Sequence, residues 1–446
     1  MRRWAVLSSG NKLDKSHQEQ LNEKGVVQIP VGAGFWRKFL AFFGPGLLIA
    51  VGYMDPGNWA TDLAAGAQFG YTLLAVVFFS NLLAVLFQYL ALKLGIATGQ
   101  DLAQACRKRY SRPVTIFLWI LCEIAIIACD LAEVIGSAVA LNLLFGLPLI
   151  AGIIITGMDS FVILILQSRG FRYLEAVVGG LMMIIAGVFI YELVVARPEW
   201  AGVAAGLLPK AEIITNPAML YLSIGILGAT VMPHNLYLHS SIVQTRAFRQ
   251  DDDGRAMAIK FATLDTAISL GLAVFINAAI LVLSAAAFHG TVNQNVADIS
   301  DAYRLLAPTL GATLASLLFA VALLASGQSS TMTGTLAGQI VMEGFLDIRL
   351  RPWVRRIITR SLAIIPAVCV AVWMGSRGVG KMLVLSQVIL SFQLSFAVIP
   401  LVLFTSDKKL MGRFVNGAWI RGLAWAASGL IVVLNLYLII QAVKNV

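Results

Sequence analysis

Two short polar motifs interrupt otherwise apolar stretches of the chain, and both contain side chains that can bind a metal ion. Residues 55–58 read Asp-Pro-Gly-Asn, and residues 232–234 read Met-Pro-His. Carboxylate and amide oxygens suit Mn²⁺, Mg²⁺ and Ca²⁺, whereas a thioether is a soft ligand that later first-row transition ions accept more readily. Asp55, Asn58 and Met232 together therefore predict a mixed oxygen and sulfur site for a transition metal.

The proline in each motif predicts a break in a helix, because proline lacks a backbone donor and clashes with the preceding turn. Gly57 also lets the chain leave helical geometry with little strain. Pro233 cannot donate to the carbonyl four residues back, so the oxygen of Ala229 is available as a further metal ligand.

The first break falls inside a segment predicted to cross a membrane, residues 41–69. A spanning helix needs ~20 residues, and neither half is long enough alone. Broken backbone in a bilayer is tolerated only where protein or a water-filled cavity satisfies it, which is the layout of a transporter's binding site. The alternative is that Asp55 only caps the second half-helix, with Pro56 at its first position. We favour the binding role, because an ionisable residue in mid-membrane is a functional candidate by default.

Three carboxylates lie in the third apolar segment, at positions Glu123, Asp130 and Glu133. Spacings of seven and three place them on one helical face, within about 80°, over ~15 Å of the axis. Such residues are costly to bury and indicate a proton or ion path. The alternative is a structural ladder of ion pairs, and both can hold, since a paired carboxylate can still relay protons. The predicted partners are three arginines at the start of the ninth segment, Arg355, Arg356 and Arg360.

His234 follows the second proline directly. An unperturbed imidazole titrates near working pH, so its place at the break indicates proton handling. A role as a metal ligand stays open. His239 and His289 are weaker candidates, and we expect His289 at the outer end of the seventh segment.

Composition indicates a polytopic helical membrane protein. The 446 residues are 59% hydrophobic and only 13% charged. The net charge of +10 does not indicate nucleic-acid binding, because Lys and Arg collect in alternate loops, as in membrane proteins. The four cysteines form no CxxC pair, so we expect small buried hydrophobic residues rather than a metal or redox site.

The apolar pattern predicts an all-α membrane protein with 11 transmembrane helices. The segments are roughly 41–69 (broken), 71–96, 114–144, 149–166, 173–195, 218–245 (broken), 256–288, 309–344, 353–374, 381–404 and 416–441. Two broken helices, five apart, indicate an inverted 5+5 repeat. The predicted repeats cover about 41–195 and 218–404 within a transporter domain at 36–446, and an extra helix follows at about 416–441.

The basic loops place the N-terminus in the cytoplasm, and the odd number of helices places the C-terminus outside. We therefore expect a multi-pass protein of the cell inner (plasma) membrane. Residues 1–35 contain no apolar signal-peptide core and are predicted to be a cytoplasmic tail, followed by a short interfacial helix at 35–40.

Taken together, the two break motifs resemble those of the Nramp family of proton-coupled divalent metal transporters, in its bacterial manganese-transporting branch. The resemblance extends to residues 44–46, 130–133 and 386–388 and covers about 40–440. It implies a LeuT-like fold and co-transport of protons with Mn²⁺ or Fe²⁺. The implied metal ligands are Asp55, Asn58, Met232, the carbonyl of Ala229 and, in some conformations, Gln387. The implied proton pathway runs through Asp55, His234, Glu133 and Asp130, near the arginines of the ninth segment.

We therefore predict a proton-coupled importer of Mn²⁺, with Fe²⁺ as a possible second substrate, that works by alternating access. Its partners are the metal ion, protons and the bilayer, with no resident cofactor. Met232 argues against Mg²⁺ and Ca²⁺ as substrates. The main rival is an amino-acid or other organic-solute transporter of the same fold, although Asp55 would repel a substrate carboxylate. A membrane-embedded enzyme is the second rival, but no HExxH, nucleophile elbow or P-loop supports it.

Overall fold

The computed structural model describes residues 27–29, 34–168, 171–294, 299–310, 313–348 and 350–444. These parts are almost entirely helical. The helices are, in chain order, α1 Phe35–Phe42, α2 Pro45–Gly52, α3 Pro56–Phe69, α4 Leu74–Thr98, α5 Leu102–Arg109, α6 Arg112–Phe145, α7 Leu149–Ser168, α8 Phe171–Ala196, α9 Trp200–Gly206, α10 Glu212–Thr215, α11 Pro217–Thr230, α12 Pro233–Ile242, α13 Asp252–Phe288, α14 Ile299–Leu310, α15 Thr313–Leu346, α16 Pro352–Thr405, α17 Lys408–Met411 and α18 Ala418–Lys444.

Within the described residues, nine helical segments are long and apolar enough to cross a membrane, and the bent pair of α1 and α2 would make ten. Two of the eleven predicted spans lie outside the nine. One is the broken first span, formed by α2 and α3, and the other is α7, of which only Leu149–Met158 is counted as an apolar helix.

Both predicted breaks are present. Proline is the first residue of α3 and of α12. At this position a backbone N–H would have no partner within the helix, so the lack of one costs nothing. Asp55 caps α3, since its Oδ1 accepts the backbone N–H of Asn58 at 2.8 Å. Met232 stands in the capping position of α12 with extended backbone and no side-chain cap. Its thioether is therefore not used by the helix end.

The ninth and tenth predicted spans belong to one helix, α16, in place of two helices separated by a loop. A straight helix of 54 residues would measure ~81 Å, far more than the ~30 Å of a bilayer core. Arg360 contacts Glu133 of α6, while Gln387 lies against Gly57, beside the Pro56 that packs on Gly136 of α6. Glu133 and Gly136 lie within one turn of α6, so two distant parts of α16 come to the same level of α6. The chain of α16 therefore reverses direction between Arg360 and Gln387.

Close packing fixes the first broken helix at the centre of the bundle. The ring of Trp59 lies between Phe189 of α8 and Phe319 of α15, with centroids 4.9 and 5.2 Å away. A Cβ on Gly136 would lie 2.1 Å from the ring of Pro56, and a Cβ on Gly46 would lie 2.7 Å from the backbone of α13. Only glycine allows these two approaches, which hold α3 against α6 and α2 against α13.

A short parallel strand pair joins the N-terminal segment to the chain after α12. β1, Val27–Gln28, pairs with β2, Arg246–Ala247, and the N–H of Ile29 donates to the carbonyl of Ala247 at 3.3 Å. The sequence did not indicate this pairing. Of the predicted tail at 1–35, residues 1–26 and 30–33 lie outside the described residues. The expected short helix at 35–40 is present as α1.

Candidate metal site and its polar surroundings

The predicted oxygen ligands of the two breaks meet in one buried place. The side-chain amide of Asn58 donates to the carboxylate of Asp55 at 2.7 Å and to the carbonyl of Ala229 at 3.1 Å. Asp55 and Ala229 are fully buried, and Asn58 is 1% exposed. The amide of Asn58 thus bridges the two broken helices at the carbonyl that Pro233 frees.

Met232 and Gln387 flank this bridge. Met232 is fully buried, and the amide of Asn235 lies 3.6 Å from its sulfur. Gln387 of α16 approaches both broken helices: its side-chain amide nitrogen would lie 1.7 Å from a Cβ on Gly57, and its backbone carbonyl oxygen would lie 2.2 Å from one on Gly228. All five predicted ligands are therefore at or beside the meeting point of the breaks.

Several buried oxygens around this point have no hydrogen-bond partner among the described residues. They are Asp55 Oδ2, Asn235 Oδ1, Asn277 Oδ1 and Gln387 Oε1. A buried oxygen left unpaired costs about 1–3 kcal/mol, and more in a membrane, where water cannot compensate. Two of these oxygens, on Asp55 and Gln387, belong to the predicted ligand set, so the donor chemistry fits a bound cation.

The carbonyls freed by the first break are used within the protein. Asn277 of α13 donates to the carbonyl of Tyr53 at 2.8 Å, and the indole of Trp59 donates to that of Met54 at 3.1 Å. Ser326 of α15 also donates to the carbonyl of Met54. The expectation of free carbonyls therefore holds best for Ala229, whose oxygen meets a side chain of the site.

The three carboxylates of α6 and the three arginines of α16 form the predicted ladder. Arg355 binds Glu123 at 3.0 Å, and Arg356 binds Asp130 at 2.9 Å. Arg360 lies 3.4 Å from Glu133 and 3.6 Å from Asp130. The pairs balance in charge, three against three. The predicted ladder of ion pairs is thus present, while a proton path along it stays a prediction.

The ladder leads inward from the edge of the protein. The side chains of Glu123 and Arg355 are 15% and 7% exposed, whereas those of Asp130 and Glu133 are fully buried. The thiol of Cys129 lies 3.6 Å from Glu133, and Cys129 shares a small apolar cluster with Met232. The inner end of the ladder therefore adjoins the predicted metal site.

The histidines differ in how they are held. His234 is buried in the first turn of α12, and its Nδ1 has no partner within the described part of the chain. His239 is fixed by Gln88, 2.8 Å from its Nδ1, and Gln88 donates to the hydroxyl of Tyr53 at 2.7 Å. His289 follows the last residue of α13, as predicted, and lies 3.1 Å from the carbonyl of Ala67.

Sequence reasoning missed two buried carboxylates. Asp62 of α3 is 1% exposed and Glu192 of α8 is fully buried. Asp62 Oδ2 and both oxygens of Glu192 have no hydrogen-bond partner in the described residues. The spacing of seven between Asp55 and Asp62 was the available signal, since it places both on one helical face.

A further buried polar group lies where α1 and α2 meet. Glu175 of α8 pairs with Arg246 at 2.7 Å, and Asp265 of α13 accepts the backbone N–H groups of Gly44 at 3.2 Å and Gly46 at 2.7 Å. Gly44 has a φ of +140°, which favours glycine. These bonds fix the start of the first broken span.

Comparison with known proteins agrees with this geometry. The family model described as Nramp, natural resistance-associated macrophage protein-like, matches residues 46–441. The chain is 60% identical over 419 residues to the divalent metal cation transporter MntH of Listeria welshimeri, and the match covers 94% of each chain. It is 59% identical over 416 residues to the protein of the same name from Nostoc sp., covering 93% of this chain and 94% of that one.

Solved structures agree as well. A crystal structure of the Eremococcus coleocola manganese transporter matches with a TM-score of 0.86 at 41% identity, covering 93% of this chain and 89% of that chain. Mhp1, a nucleobase-cation-symport-1 family transporter, matches at 0.60 and 16% identity, covering 89% of this chain and 90% of that one. MhsT in complex with L-phenylalanine matches with a TM-score of 0.59 at 15% identity, covering 88% of this chain and 98% of that one. These two distant likenesses concern the fold alone and confirm the predicted LeuT-like fold.

The relatives are named as transporters, so the prediction that the chain is not an enzyme is confirmed. The match of the family model over residues 46–441 and the identity of 60% to MntH rest on nearly the whole chain. The chain is a multi-pass membrane protein and belongs to the Nramp family.

Proposed function

We propose that this protein imports Mn²⁺, with Fe²⁺ as a second substrate, together with protons. The observation that carries the proposal is the contact of Asn58 with both Asp55 and the carbonyl of Ala229. That contact brings a charged oxygen and a freed carbonyl from separate broken helices to one buried point. The names of the relatives, which specify divalent metal cations and manganese, support the same substrate class.

Met232 supplies the selectivity in this proposal. Ca²⁺ and Mg²⁺ prefer oxygen ligands, and a thioether in the coordination shell replaces one oxygen with a soft donor. The sulfur is buried and its helix end does not use it. Asp55 neutralises charge, while Asn58, Gln387 and the carbonyl of Ala229 complete the oxygen ligands.

Protons move, in this proposal, through Asp55, His234, Glu133 and Asp130. Nδ1 of His234, at the break, has no partner among the described residues, and Glu133 shares Arg360 with Asp130. A proton can pass along such a group of paired carboxylates when one partner changes its distance. Glu123 and Arg355 form the exposed end of the path, where a proton exchanges with water.

The protein acts by alternating access, with the two five-helix halves at about 41–195 and 218–404 moving against each other around the breaks. The N-terminus lies in the cytoplasm and the C-terminus outside, because the loops rich in arginine and lysine face inward. On this orientation α2 forms the inner half of the first span and α3 the outer half. The membrane is the plasma membrane.

Uptake by purified protein in liposomes, with a pH-sensitive dye inside, tests the proposal. The wild type should take up Mn²⁺ and acidify the lumen, and Asp55→Ala should do neither. Glu192→Gln is the matched control, since it changes a buried carboxylate on another helix and should keep uptake. Near-normal Mn²⁺ uptake by Asp55→Ala would leave Asp55 with only its capping role and overturn the proposal.

The rival is an organic-solute transporter, a substrate class that the fold of MhsT accommodates. In such transporters the half-helix N-termini bind a substrate carboxylate. Here the N-terminus of α3 is already capped by Asp55, whose second oxygen is unpaired. An amino acid would meet a negative charge at that point. Saturable uptake of an amino acid without metal would favour the rival.

A further inference from the structure

Asp62 extends the polar face of α3 away from the proposed metal site. It follows Asp55 by seven residues and Asn58 by four. Seven residues make nearly two turns, so Asp55 and Asp62 share one face, separated by ~10 Å along the axis. Asn58 lies between them. The three side chains form a row of oxygen donors that we name the α3 row.

Two of the helices that pack on α3, α11 and α13, offer Asp62 no cation to pair with. On the adjoining side of α3, Ser284 of α13 donates to the carbonyl of Leu63 at 2.7 Å, and a Cβ on Gly66 would lie 2.3 Å from the carbonyl of Leu281. Beyond Lys260, α13 contains no Lys or Arg, and α11, which meets Thr61 at Gly225, contains none at all. In the described residues, Asp62 Oδ2 has no hydrogen-bond partner.

A buried carboxylate is among the costliest groups that a membrane protein can hold. Asp62 has no partner for its Oδ2 in the described residues and shares a helix face with two predicted metal ligands, so its position indicates a role in ion passage. A second buried oxygen, on the neighbouring helix α13, adds to this signal. Asn277 of α13, whose amide lies 3.5 Å from Asn58, also presents a buried oxygen without a partner. Asp62 belongs to the α3 row and Asn277 contacts Asn58 within it, so both oxygens border the path that a cation leaving or reaching Asp55 would follow.

We propose that Asp62 is a transient binding station for the divalent cation on its way from outside to the site at Asp55 and Met232. This inference rests on the proposed function and its orientation, in which α3 is the outer half of the span. The cation would bind Asp62 with part of its water shell, then pass along Asn58 to Asp55. Ion passage needs each step to be favourable enough to enter and weak enough to leave, which suits a single carboxylate.

The station differs from the central site in its ligands. It offers oxygen donors only, so it has no means to prefer Mn²⁺ over Ca²⁺. External Ca²⁺ therefore competes at Asp62 without being transported, and this competition should depend on the carboxylate. The selectivity of transport stays with Met232.

The test compares the two faces of the membrane. Mn²⁺ uptake is measured in right-side-out and in inverted membrane vesicles from the same cells, with Asp55→Ala vesicles as the background. Asp62→Asn should raise the external Mn²⁺ concentration for half-maximal uptake by about tenfold, with the value for Mn²⁺ presented from the cytoplasmic face unchanged. It should also weaken inhibition by external Ca²⁺.

Glu192→Gln provides the matched control, since it is an equally buried carboxylate without a partner that lies outside the α3 row. Its Mn²⁺ concentration for half-maximal uptake should equal that of the wild type on both faces of the membrane. If Asp62→Asn and the wild type had equal half-maximal Mn²⁺ concentrations on both faces, the proposal of a binding station would be overturned. A parallel loss on both faces would also overturn it, because Asp62 would then serve the central site or the fold. Absence of Mn²⁺ uptake by the wild type would refute the proposed function instead.

Discussion

The ladder between α6 and α16 predicts unequal effects when its two most buried partners are removed. Asp130 is paired with two arginines, Arg356 at 2.9 Å and Arg360 at 3.6 Å. Arg356 has Asp130 as its carboxylate partner, and its Nε and Nη2 are unpaired in the described structure. Removing Arg356 therefore leaves Asp130 one cation, whereas removing Asp130 leaves Arg356 buried without its ion pair.

The magnitudes follow from that asymmetry. Asp130→Asn should lower the free energy of unfolding by about 3–5 kcal/mol, the cost of an uncompensated buried charge. Arg356→Gln should lower it by about 1–3 kcal/mol, since Asp130 keeps Arg360 and the carboxylate left in excess beside Glu133 can neutralise itself by binding a proton, which an arginine cannot do by losing one. Glu123→Gln, at the less buried end of the ladder, should cost about 1–3 kcal/mol, since the glutamine keeps an acceptor near Arg355 but loses the charge.

The double variant sharpens the test. Asp130→Asn with Arg356→Gln removes one charge of each sign and leaves Glu133 paired with Arg360 at 3.4 Å. The double variant should thus lose about as much free energy of unfolding as Arg356→Gln alone, far less than the sum of the losses in the two single variants. Thermal unfolding in detergent can be followed with a thiol-reactive dye in a Cys369→Ser background, because Cys369 is exposed while Cys106, Cys122 and Cys129 are buried.

Two outcomes would refute this reasoning. One is an Arg356→Gln variant that unfolds at or below the temperature of Asp130→Asn. The other is a double variant whose loss equals the sum of the single losses. Either would mean that the pairs do not stabilise the fold by compensating buried charge.

Three further predictions concern single side chains. Met232→Ala should retain Mn²⁺ uptake in liposomes but weaken its discrimination against Ca²⁺, and unchanged selectivity would remove the thioether from the filter. Cys129→Ser should weaken inhibition of Mn²⁺ uptake by Cd²⁺ about tenfold, since the thiol shares the cluster of Met232, while Cys122→Ser should not. Burial raises the pKa of Asp101, in the connection between α4 and α5, from 3.8 to about 7. The folded state therefore holds that proton more tightly, so stability should fall as pH rises from about 4 to about 7, and Asp101→Asn should flatten this dependence in thermal unfolding.

Local chemistry explains what the sequence could predict. The breaks at Pro56 and Pro233 follow from proline alone, and the position of each break within an apolar segment fixes its depth. The contact of Asn58 with Ala229 then follows from two breaks at equal depth. The ladder was predictable in its members, because the carboxylates share a face and the arginines enter an apolar segment.

What the sequence could not predict depends on contacts between distant segments. The spacing of seven already places Asp62 on the face of Asp55, but which helices pack beside it, and that α11 and α13 bring no cation there, is known only from the structure. The pairing of β1 with β2 joins residues more than two hundred positions apart. The continuous helical backbone of α16 was also missed, because Gly378 and Gly380 indicate a loop by composition and the structure keeps them helical.

The two oxygens of Asp55 have separate tasks, and this division locates the conformational coupling in Asn58. Oδ1 accepts the backbone N–H and the amide of Asn58 and so fixes the start of α3, while Oδ2 is left unpaired. A cation can therefore bind Oδ2 without disturbing the cap. Asn58 is different, because its amide nitrogen now occupies the carbonyl of Ala229. To offer its oxygen to a cation, that amide must turn. Turning breaks its hydrogen bond to the carbonyl of Ala229, which directly links the two broken helices. In the proposed mechanism, metal binding would thus replace a link between α3 and α11 with ligation of both to one ion, and this exchange would tie occupancy of the site to the relative position of the two halves.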